Sequence, residues 1–78
     1  MNSKVLILKL IAKNDGDWTW YQVERGLNAH GLGGQVNTIV ELESLLADGL
    51  IIAKADSRYP APLYQITDKG KALLEIEN

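Results

Sequence analysis

GQVNTIVELESLLADGLI, residues 34–51, decides how the rest of the chain is read. Val36, Ile39, Leu42, Leu45, Leu46 and Leu50 recur at three- and four-residue spacing, so a helix through them carries one continuous apolar stripe. That spacing predicts a helix over Gln35 to Ala47, with Gly34 at its start where Ser, Thr or Asp would cap more strongly. Asp48-Gly49 ends it, because glycine takes the left-handed position after a helix at no side-chain cost. Leu50-Ile51-Ile52 then opens a strand.

Downstream, Leu50 to Ala55 and Leu63 to Thr67 are two short strand candidates. Asp56-Ser57-Arg58-Tyr59-Pro60-Ala61-Pro62 separates them, and its prolines cannot continue a ladder. This predicts a hairpin with a long, stiffened tip over residues 54–62. Tyr64 and Ile66 alternate with Gln65, as on a strand with one face on a core. Thr67 caps a last helix from Lys69 to about Ile76, with Ala72, Leu73 and Ile76 on its apolar side.

Upstream, Ser3 caps a first helix ending near Lys13. Ile7, Leu8, Leu10 and Ile11 share one face, with Lys9 and Lys13 opposite. Asn14-Asp15-Gly16-Asp17 is a turn by composition. Thr19 and Gln22 stand in capping-box relation, with Trp18 and Val23 placed for the accompanying hydrophobic staple. Helix 2 is therefore expected to start at Trp20, with Tyr21, Val23 and Leu27 facing inward. Gly26 is read as a close-packing point. Asn28 to Gly34 is a flexible turn: its glycines match neither nucleotide-loop spacing, and no lysine follows. His30 is a polar residue at a helix end.

The order α-α-α-β-β-α predicts one mainly α, α+β domain over residues 1–78. Trp18 is the candidate for a third short strand. A chain of 78 residues that is 46% apolar is long enough for a single modest core. It contains no cysteine and one histidine, which excludes disulfides and the usual zinc sites, and no cofactor is expected. No paired carboxylates or nucleophile–base pair stands at a useful spacing, so an enzyme is not expected. The apolar run Val5 to Leu8, as long as any in the chain, is too short for a membrane span, and no signal-peptide pattern follows it. These features point to a cytoplasmic protein with no membrane partner.

Three pieces together resemble the winged helix-turn-helix of the PadR and MarR-like transcriptional regulators. They are Tyr21-Gln-Val23-Glu-Arg-Gly-Leu27, Ile39-x-x-Leu42-x-x-Leu45 with Asp48-Gly49-Leu50-Ile51, and Tyr64-Gln-Ile66-Thr67-Asp-Lys69-Gly70-Lys-Ala-Leu73. The last is the most specific. The resemblance implies a three-helix core, a two- or three-stranded β wing and a short C-terminal helix. It further implies double-stranded DNA as partner, with helix 3 in the major groove and the wing on backbone or minor groove. Carried onto this chain, Gln35, Asn37 and Thr38 are the base-reading candidates, since Gln and Asn can bond adenine and Thr can meet a thymine methyl. Lys54, Arg58 and Tyr59 are the wing candidates.

The charge pattern supports a second expectation. No lysine or arginine occurs between Arg25 and Lys54, whereas Glu41, Glu43 and Asp48 do, and the net charge is −2. Neutralising phosphates supplies most non-specific DNA affinity. A winged helix used for protein contact, as adaptor, anti-repressor or assembly subunit, is the alternative; a homodimer or a protein partner is compatible with either.

Overall fold

The first helix organises the molecule. In the computed structural model, which describes residues 3–32, 34 and 36–77, α1 (Ser3–Lys13) packs against the second, third and fourth helices and against the second strand. Its sequence explains this central position. Leu6, Ile7, Leu8 and Ile11 are buried, Leu10 is half-buried, and Lys9 and Lys13 are exposed. Leu6 therefore joins the face read from Ile7, Leu8 and Ile11. Shielding Ile7, Leu8 and Ile11 completely contributes about 1.5–3 kcal/mol each. Ser3 is the first helical residue rather than a residue before the helix, and its hydroxyl lies 3.4 Å from Glu41 Oε2.

After the Asn14–Asp17 turn, α2 (Trp20–Ala29) starts at the capping box of Thr19 and Gln22, with the Thr19 N–H donating to Gln22 Oε1 at 2.9 Å. Val23 and Leu27 face the core, and both tryptophans are half-buried against it. Tyr21 is a correction: it is 51% exposed. At 100° per residue it lies far round the helix from Val23 and Leu27, and Trp20 takes the inward position instead. Gly26 permits the close packing expected of it, since a Cβ there would stand 3.1 Å from both Leu10 and Trp18 side chains.

The third helix, α3 (Thr38–Ala47), starts three residues later than the leucine spacing predicted. Asn37 is the cap: its backbone is extended and its side chain accepts the Val40 N–H at 3.2 Å. The inward face is Thr38, Leu42 and Leu45, and Ile39 turns outward. The exit is the expected one. Gly49 has φ +73°, the Gly49 N–H donates to Leu46 O at 3.1 Å, and the Leu50 N–H donates to Leu45 O at 3.0 Å. That pair of bonds is a Schellman ending, with Leu45 and Leu50 as its buried apolar pair.

β1 (Ile51–Lys54) and β2 (Leu63–Ile66) pair antiparallel, with Ile51 opposite Ile66 and Lys54 opposite Leu63. Trp18 supplies an isolated bridge to Tyr64, so the third strand is a single residue long. The outer edge of β2 is closed by other groups as well. Trp18 O accepts the Tyr64 N–H, the Gly16 N–H donates to Tyr64 O, and Asp15 Oδ1 accepts the Ile66 N–H at 3.0 Å.

α4 (Asp68–Glu77) is capped by Thr67, whose hydroxyl accepts the Gly70 N–H at 3.1 Å. The same hydroxyl donates to Gly49 O at 2.7 Å, the Thr67 N–H donates to Leu50 O at 3.1 Å, and Lys69 Nζ donates to Asp48 O at 2.7 Å. Residues 67–70 thus clasp the end of α3, and the two motifs at 48–51 and 64–70 are halves of one joint. The inward residues of α4 are Gly70, Leu73 and Leu74. Ala72 and Ile76, predicted inward, are exposed, because Gly70 rather than Ala72 makes the close contact.

Candidate functional site

Two surfaces hold the residues singled out from the sequence. The first is the start and outer side of α3. Gln35 lies outside the described residues. Asn37 is exposed, but its carboxamide oxygen is engaged in capping. Thr38 is a correction to the picture of an exposed helix start. It is only 3% exposed, one turn before Leu42 on the inward face, and its hydroxyl has no partner among the described residues. A buried Thr38 cannot reach a base edge without moving α3.

The residues that α3 turns to solvent are different ones. Ile39 is 43% exposed and Val40 54% exposed, with Glu43 and Ala47 exposed on the same side and Glu41 half-buried at the flank. α3 carries no lysine or arginine. Beside Ile39, a shallow depression of about 400 Å³ opens between the start of α3 and Glu24 of α2, with Val36 in its wall.

The second surface is the hairpin tip. Lys54 ends β1 and is exposed, as are Arg58 and Tyr59. Asp56 organises them, a role that the charge pattern alone did not reveal. Its carboxylate accepts Arg58 Nη2 at 2.8 Å, Arg58 Nε at 3.1 Å and the Arg58 backbone N–H at 2.9 Å. The Arg58 guanidinium also lies 5.7 Å from the centre of the Tyr59 ring. The side-chain bonds from Arg58, with its backbone N–H second, lower the Asp56 pKa to about 2, and the pairing raises that of Arg58. Lys54 and Arg58 border one small depression of about 140 Å³, together with Gly16 and Gln65. This tip and the α3 face line separate depressions.

The electrostatic result is that the tip offers less positive charge than its composition suggests. Among the described residues, Arg58 is paired with Asp56, while Lys54 is exposed and acts on the same carboxylate through its charge alone. Between the two surfaces, burial pushes the Tyr64 phenol above its usual range, and Glu43 adds to the shift.

The missed features had a readable signal. Asn37 is a strong capping residue three positions before Val40, the spacing that marks a helix start at Thr38. Asp56 and Arg58 stand two apart in a turn, the spacing of an Asx-type contact. No helix among the described residues is long and apolar enough to cross a membrane. No known protein family matches this chain, and no curated protein is similar to it.

Proposed function

We propose that this chain is a winged helix-turn-helix domain that works as a protein-interaction module, docking through the outer side of α3. The observation that carries the reading is the outward pair Ile39 and Val40, set beside Glu41 and Glu43 on a helix without a cation. Adjacent exposed aliphatics on a helix face suit the dehydrated centre of a protein contact. Phosphates approaching the same face meet carboxylates and gain no counterion release. No catalytic chemistry enters this reading.

A second reading, binding of double-stranded DNA by a small transcriptional regulator, draws on one specific observation. α2, a turn, α3 and a hairpin bearing exposed Lys54 follow one another in the order that a groove-reading domain uses. In that reading Asn37 and the hairpin residues Lys54, Arg58 and Tyr59 would do the contacting.

Titrating the isotope-labelled chain with a mixed-sequence duplex at low salt separates the two. The docking reading expects the amides of Asn37 to Glu43 to stay in place, with any salt-sensitive shifts confined to the hairpin tip. Shifts along Asn37 to Glu43 on adding duplex would overturn it in favour of the DNA reading.

A further inference from the structure

We infer that the partner of the α3 face is a basic amphipathic helix, one of whose lysine or arginine side chains lies in the depression between α2 and α3. This rests on the docking reading above and adds the chemistry of the partner. The depression has an apolar wall, Val36 and Ile39, and a carboxylate, Glu24, for which no hydrogen bond or ion pair is found among the described residues. A long basic side chain fits both parts. Its methylenes cover the aliphatic wall and its charged head meets the carboxylate at the rim.

A small anion is the competing occupant, because the start of a helix favours negative charge. Glu41 already supplies that charge within the first turn of α3, and Glu24 stands beside the same opening. A further anion in the depression would face Glu24. Beyond the depression the helix presents Val40 and then Glu43, so a partner helix meets aliphatic contact at its centre and carboxylates on its flanks. That charge complementarity selects leucine-type anchors with lysine or arginine beside them.

Three helical peptides test this against the labelled full chain: one of leucine and lysine, one with each lysine replaced by glutamate, and one with each leucine replaced by serine. The leucine–lysine peptide is expected to shift the amides of Val36 to Glu43. Glu24→Gln and Glu43→Gln should each weaken it about twofold to fivefold, as for a single exposed ion pair. The glutamate peptide should not bind there, and the serine peptide should bind more weakly. If the glutamate peptide binds the same face equally well, the basic partner is wrong and the docking reading survives. If Glu43→Gln weakens binding and Glu24→Gln does not, the seat in the depression is wrong. Absence of shifts with the lysine peptide overturns the inference; shifts of the same amides by duplex DNA would then remove the docking reading too.

Discussion

At Gly70 the absence of a side chain is a structural requirement. A Cβ there would stand 2.3 Å from the Leu50 carbonyl oxygen and 2.7 Å from Ile66 Cγ1, and neither the backbone oxygen nor a buried strand residue can step aside. Gly26 sits in a milder situation. Its added Cβ would meet Leu10 and Trp18 side-chain atoms at 3.1 Å, and alanine gains up to about 1 kcal/mol of helix propensity in exchange. Gly70→Ala is therefore expected to cost about 3 kcal/mol, roughly 12–24 °C in Tm, whereas Gly26→Ala stays within about 1 kcal/mol of the parent. Thermal melts followed by circular dichroism check both. Equal losses at the two positions would show that the clasp over Gly70 is looser than its geometry.

Among the elements, the hairpin tip has the most directly measurable chemistry. Its order depends on an ionised Asp56 holding Arg58. Because the folded pKa is lowered from 3.8 to about 2, the stabilising contribution is fully present above pH 3.8 and is lost as pH falls through about 2. The Arg58 amide and Nε–H signals should accordingly titrate together with a midpoint near 2. A midpoint near 3.8 would mean that the carboxylate does not hold the arginine in solution. The elements also show what could be read beforehand and what could not. The capping box at Thr19, the glycine exit at Gly49 and the Thr67 cap are local chemistry between near neighbours, and all three were legible. In α3 the inward side at Leu42 and Leu45 was legible from their spacing, but the outward turn of Ile39 was not, because it falls at the edge of that face and Thr38 takes the inward position. Likewise, Tyr21 and Ile76 are apolar enough to suggest burial, but they lie off the faces that Val23 and Gly70 place against the core. The central role of α1 depends on contacts with three other helices and a strand, which no local pattern encodes.

For the whole molecule, charge and shape are divided between the two ends of the α3–hairpin unit: carboxylates around an aliphatic pair on the helix, and an exposed lysine on the hairpin. The clasp at residues 67–70 has a different consequence. By tying Thr67 to the Gly49 and Leu50 carbonyls, it closes the base of everything between them, so the hairpin leaves and rejoins the helical core at a single fastened point. The length of such an excursion is nearly independent of the stability of what lies beneath it, since each doubling of a flexible loop costs only about 0.6 kcal/mol. A glycine–serine insert after Ser57 should leave the melting of the helices almost unchanged, and the same insert between Gly49 and Leu50 should unfold the chain. Calorimetry of the two variants would read this directly. The tip is thus a place where new chain or a label can be added without renegotiating the core.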